Sequence, residues 1–158
     1  MTGLILISMP IMQAIVTPQS GKLSDLINPQ KLSALGMGLA TIAILILTTM
    51  DDSTSVYIII IALMIGGVGY GLFSSPNTNT IMSSVPPNET TMASAAVATM
   101  RVIGQTLSIG ILTVIFAFVM GNVTITPSVY PQLSESCHLA LICSTVLGVI
   151  SVLVSLVG

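Results

Sequence analysis

An all-α bundle of membrane-spanning helices is the fold this chain predicts, on three observations. Charged residues are 5% of its 158 positions, where an average soluble domain carries roughly 25%. Apolar residues reach 53% and mean hydropathy is +1.05. The apolar residues are gathered into stretches that can cross a hydrocarbon core, which takes about 20 helical residues. Three basic residues, five acidic residues and one histidine cannot cover a water-soluble globule of this size, so the apolar surface faces lipid. The same charge count argues against nucleic acid, because neutralising phosphates takes a cluster of Lys and Arg.

Five spans are expected in one bundle over residues 1–158. The first runs from about residue 3 to 17; it lacks the basic start of a signal peptide, so it reads as a spanning helix. The second, about 32–50, is apolar except for threonines. The third begins at Val56, is plainly apolar to Phe73, and continues as a more polar helix to about 85. The fourth covers about 93–120 and the fifth about 137–157. The connectors 18–31, 51–53, 86–92 and 121–136 concentrate Pro, Asn, Asp and Ser, the residues that turns require. Lys22 and Lys31 share the first connector, and Arg101 falls on the same side after two more crossings. The positive-inside rule therefore places 18–31, 86–92 and the C-terminus in the cytoplasm of a multi-pass protein of the cell membrane.

Polarity separates the spans. The second and fifth hold nothing ionisable centrally and can face lipid. The third carries Gly66-Gly67-Val68-Gly69-Tyr70-Gly71 and then Ser74-Ser75-Pro76-Asn77-Thr78-Asn79-Thr80. At 3.6 residues per turn, Gly69, Phe73, Pro76, Asn77, Thr80 and Ser84 are expected to form one stripe. The glycines themselves read first as close helix contacts. The fourth span has a parallel stripe of Ser94, Ala98, Arg101, Gln105 and Ser108. A central arginine costs about 2.5–3.5 kcal/mol on insertion scales. With Gln105 and Ser108 beside it, Arg101 points to a polar cavity or protein interface; the other reading is an anchor at the cytoplasmic end. Asn77, Asn79, Arg101 and Gln105 are the candidates for cavity or interface function.

The first connector, Gly21-Lys22-Leu23-Ser24-Asp25 through Lys31, resembles the cytoplasmic loop signature of the major facilitator superfamily, a Gly-x-Leu-x-Asp core followed by basic positions. Gly21, Leu23, Asp25 and Lys31 fit, whereas Leu26, Asn28 and Pro29 depart from it. The run Gly67 to Asn77, with Gly-x-Gly-x-Gly-x-Phe-x-x-Pro-Asn, and the Met-Arg-x-x-Gly-Gln-like stretch within Ala93 to Ser108 are similar to late helices of the fourteen-helix drug:proton antiporters of that superfamily. The resemblance implies the last five helices of a C-terminal bundle, without the N-terminal half of a full transporter. It implies alternating-access efflux of small amphipathic or cationic drugs in exchange for protons, in company with the missing bundle or a second copy. It makes Gly21, Lys22, Asp25 and Lys31 a gating motif, with Asp25 bracing helix ends; Asp25 as a simple turn cap is the alternative. The third span would line the central cavity, the first and fourth would sit at the bundle interface, and the second and fifth would face lipid.

The chemistry narrows further by elimination. No carboxylate lies at mid-span in this chain, so a proton site is expected mostly outside it. His138 stands at the outer mouth of the fifth span, where a hydrated histidine is the plain reading. Paired intramembrane aspartates and a Ser–His arrangement at depth are both lacking, so no enzyme is expected, and no cofactor. Cys137, His138 and Cys143 share one helix with poor facial alignment and make no metal site. The reading from another class is a small structural or assembly subunit that packs against another membrane protein, through faces such as Gly36-x-x-x-Ala40 and Ser144-x-x-x-Gly148.

Overall fold

A computed structural model describes residues 2–24, 26–50, 54–120 and 130–157. Its elements are α1 (Thr2–Leu6), α2 (Ser8–Ser24), α3 (Pro29–Thr48), α4 (Val56–Ser83), α5 (Thr90–Met120) and α6 (Tyr130–Val157). α1 and α2 form one rod, since Ile7 N–H still donates to Gly3 O and Ile11 N–H to Ile7 O. The break falls where Pro10 lacks the N–H that Leu6 O would have accepted. Among the described residues five helical rods result, and α3, α4, α5 and α6 each contain a stretch long and apolar enough to cross a membrane.

The first rod differs from the expected 3–17 span. It runs on through Pro18 to Ser24, so Gly21 and Lys22 are helical and the expected long connector shrinks. The residues that look like a connector are held by tertiary contact instead. Ser20 is 1% exposed, and its hydroxyl donates to Gly71 O of α4 at 3.0 Å. A Cβ at Gly21 would sit 3.0 Å from Ser75 Oγ. Asn28 and Pro29, which break the loop signature, start α3: the Asn28 side chain accepts from Gln30 N–H and Pro29 takes the first helical position, where its missing N–H costs nothing. α5 begins at Thr90 and α6 at Tyr130, both earlier than expected. Glu135 and His138 are therefore exposed positions within α6 rather than at a connector's edge.

α4 is the central helix. It packs against α2 on one side and α3 on the other; α3 also packs on α6, while α5 lies along α6 and touches α4. The glycine run makes both contacts possible at once. A Cβ on Gly67 would collide with Met9 O and lie 3.0 Å from Met12 Cβ, and one on Gly71 would lie 3.1 Å from Val16, both on α2. A Cβ on Gly69 would lie 2.5 Å from Ala40 N and 2.7 Å from Gly36 O, both on α3. Small residues let two backbones approach where lipid supplies no hydrophobic drive. Gly148 of α6 plays the same part against α3, where a Cβ would lie 2.7 Å from Thr41 Oγ1.

Ser20→Ala should lower the unfolding free energy of the protein in mild detergent by about 0.6–1 kcal/mol, the worth of one interhelical hydrogen bond. Denaturant unfolding of the two proteins checks this; equal stability would mean that Ser20 merely fills space.

Candidate functional site

The first expected stripe, on α4, divides between two faces. Gly69 and Pro76 are buried and Gly69 meets α3, whereas Phe73 and Asn77 line a cleft between α4 and α5. Successive helix positions turn by about 100°, so a set that includes the adjacent pair Pro76 and Asn77 spreads over an arc of about 100°. Pro76 removes the N–H that Leu72 O would accept, one residue beyond the Gly71 carbonyl that receives Ser20. The Ser74 carbonyl takes the Thr78 hydroxyl at 2.8 Å and the Pro76 carbonyl takes Thr80 at 2.9 Å. Hydroxyl groups thus turn back onto their own helix, which lets this polar run stay helical at membrane depth.

The α4–α5 cleft has a volume of about 410 Å³ and is lined by Tyr70, Phe73, Ser74, Asn77 and Thr78 with Met100 and Arg101 facing them from α5. Of the described residues that line it, Arg101 is the charged one, and none is a carboxylate. Counted from Thr90, Arg101 stands about 16 Å along its helix by rise, deeper than the 12 Å or so that a start at residue 93 would give. A guanidinium with five donors, an amide, hydroxyl lone pairs and two aromatic rings together suit a flat, partly apolar solute with acceptor atoms. Electrostatics there oppose a cationic solute, because the low dielectric strengthens like-charge repulsion.

Asn79 lies elsewhere. Two residues from Asn77, it is turned by about 200° and lines a second cleft of about 420 Å³ with Ser24, Pro29, Thr80, Met82 and Ser83, at the junction of α2, α3 and α4. Gln105 is exposed and lines neither cleft. One turn further on, Ser108 joins a third cleft, about 280 Å³, between α5 and α6. The α5 stripe therefore links two clefts through Gln105 rather than facing one. Tyr70 and Met100 also line the α4–α5 cleft, beyond the residues expected there. The signal was there: Tyr70 precedes Asn77 by seven residues and so shares its face.

Of the loop motif, Gly21 packs against α4, and Lys22 is exposed in the last turn of α2, where a cation complements the helix dipole. Lys31 is exposed in the first turn of α3. Asp25 lies outside the described residues. Among the described residues, no three His, Cys, Asp or Glu side chains converge as a metal-holding group. None of the described residues of α5 is buried, so that helix presents a long uncovered flank.

Residues 1–109 match the family model of the Major Facilitator Superfamily. The chain is 27% identical over 117 residues to the riboflavin transporter RibZ of Clostridioides difficile (strain 630), covering 74% of this chain and 26% of that protein. It is 33% identical over 104 residues to the uncharacterized transporter YebQ of Escherichia coli (strain K12), covering 66% of this chain and 23% of that protein. The chain thus spans about a quarter of the length of these relatives. No solved structure matches it. With a family match running from the first rod through α4 and into α5, over helices whose glycines seat one another, the chain belongs to the major facilitator superfamily.

Proposed function

We propose that this chain forms part of the C-terminal bundle of a secondary transporter that carries a small, amphipathic organic compound across the cell membrane by alternating access. The observation that carries the proposal is the α4–α5 cleft, which combines Arg101, Asn77 and two aromatic rings in an otherwise lipid-compatible surface. Intramembrane polar groups of this kind mark solute pathways. The uncovered flank of α5 is where the partner bundle docks, and alternating access needs both bundles around one site. Drug export coupled to protons is the narrower form of this reading and rests on the motif resemblance. Riboflavin, the compound named for one relative, fits the cleft's preference for a flat solute rich in acceptor atoms.

In this reading the stretch 18–31, which holds the end of α2 and the start of α3, the segment 86–92 and the C-terminus face the cytoplasm, and Lys22 and Asp25 act as a brace at the end of α2. The assembly-subunit alternative has less to stand on. Gly36 and Ala40 already pack on Gly69 of α4, and Gly148 on Thr41, so three of the four small residues that favoured it are taken up within the chain.

The test is flux in cells that express the complete reading frame, with a cationic fluorescent dye and riboflavin as the two probes and a collapsed proton gradient as a third condition. Asn77→Ala should weaken the apparent affinity for the carried probe several-fold, as the loss of one hydrogen bond does, while Asn79→Ala leaves it unchanged. Flux of both probes no faster than in cells with an empty vector would refute the assignment. Equal effects of the two asparagine changes would remove the α4–α5 cleft from it.

A further inference from the structure

On the opposite side of α3 from the glycine contacts, a groove runs between α3 and α6. Its volume is about 530 Å³, and Lys31, Leu35, Gly38, Leu39, Ile42 and Val152 are among the residues that line it. We propose that this groove is a binding site for one anionic glycerophospholipid, with an acyl chain lying along Leu35 to Ile42 and the phosphate at Lys31.

The groove is apolar except at one end. Leu35 is 63% exposed and Ile42 51% exposed, so the lining is open to the surroundings of the helices. Gly38 creates the depth: a Cβ there would meet nothing within 4 Å, in contrast to Gly36, whose position is filled by α4 backbone. From Lys31 to Ile42 the floor extends about 16 Å by helical rise, with the lysine in the first turn of the apolar span Pro29–Thr48 and the rest further along it. An apolar slot of this length with polar character confined to one end matches a lipid tail and headgroup.

Charge complementarity selects the headgroup. Lys31 stands in the first turn of α3, and no acidic residue occupies that turn. An ammonium at the positive end of a helix is unfavourably placed on its own. A phosphate beside it is attracted by both the ammonium and the helix end, so an anionic lipid relieves a repulsion that a neutral detergent leaves in place. Lys22, exposed at the negative end of α2, has no such conflict and lines no part of the groove. The inference does not depend on what the α4–α5 cleft carries.

The experiment is native mass spectrometry of the protein from its complete reading frame, released from detergent after equilibration with phosphatidylglycerol or with phosphatidylcholine at equal concentration. The unmodified protein should retain one phosphatidylglycerol in preference to phosphatidylcholine. Lys31→Gln should reduce that retention about fivefold, the worth of one cation at an anionic lipid surface, and leave phosphatidylcholine retention unchanged. Gly38→Leu, which fills open space, should reduce retention of both lipids. Lys22→Gln should have no effect. The proposal is overturned if Lys31→Gln binds phosphatidylglycerol as well as the unmodified protein, or if Lys22→Gln loses as much as Lys31→Gln. It is equally overturned if Gly38→Leu, eluting as the same monodisperse species, keeps its lipid, since the tail would then lie elsewhere or the groove be covered by another helix.

Discussion

Gly36→Leu should break the α3–α4 pair and leave little folded protein. A Cβ at position 36 would lie 2.6 Å from Gly69 O and 2.6 Å from Phe73 N, with Leu72 C at 3.0 Å. All three are backbone atoms of one helix, so no side-chain rotation relieves the clash and the helices must separate. Overpacking of a close-packed contact costs about 1–3 kcal/mol and more where nothing can yield, and here the separation also releases Gly69 from Ala40. Expressed protein should run largely as aggregate on size exclusion in mild detergent, or unfold well below the unmodified protein on heating. Gly38→Leu, two positions on, adds the same side chain where a Cβ meets nothing and should elute and melt like the original. If Gly36→Leu behaved as Gly38→Leu does, the α3–α4 contact described here would be wrong.

The second large effect belongs to Arg101. On the proposed transport role, Arg101→Ala in the complete reading frame should lower flux of the carried compound by at least about tenfold while expression and membrane insertion hold or improve. Insertion improves because an arginine at this depth costs about 2.5–3.5 kcal/mol, and alanine removes that cost. Flux falls because the cleft loses its charged donor, and a hydrogen bond to a charged group contributes about 1.5–3 kcal/mol. Arg101→Lys should recover part of the loss, since an ammonium keeps the charge without the planar fork. The two readings of Arg101 separate on this measurement. A mere anchor at the end of the helix would leave flux within about twofold and disturb insertion instead.

Hydropathy made the membrane rods legible because insertion into lipid is decided by local composition. Four of the five expected spans are long apolar helices in the structure. The first was the least legible. Pro18-Gln19-Ser20-Gly21 reads as a loop by local preference, and only α4 reveals why it is helical: Ser20 finds Gly71 O and Gly21 finds Ser75. The start of α3 was within reach of the sequence, since Asn-Pro is an N-cap and first-turn pair. Read against a loop signature, the same two residues count only as departures from it. Asn77 and Asn79 were likewise separable by helix arithmetic, which sets them nearly opposite each other. Gln105 was not, because which flank of α5 meets α4 depends on how α6 seats it.

What the amino-acid sequence by itself determined is that this chain lies in lipid as helices, that α4 and α5 carry the polar burden, and that the glycines of α4 serve contact. These follow from short-range composition and from the 3.6-residue period. What only the tertiary structure decided is which glycine meets which helix, which polar residues share a cleft, and that Arg101 faces Asn77 while Asn79 and Gln105 do not. Those outcomes depend on the rotation of each rod about its axis. That rotation is set by backbone-to-backbone fit between residues far apart in the chain, on which local composition is silent.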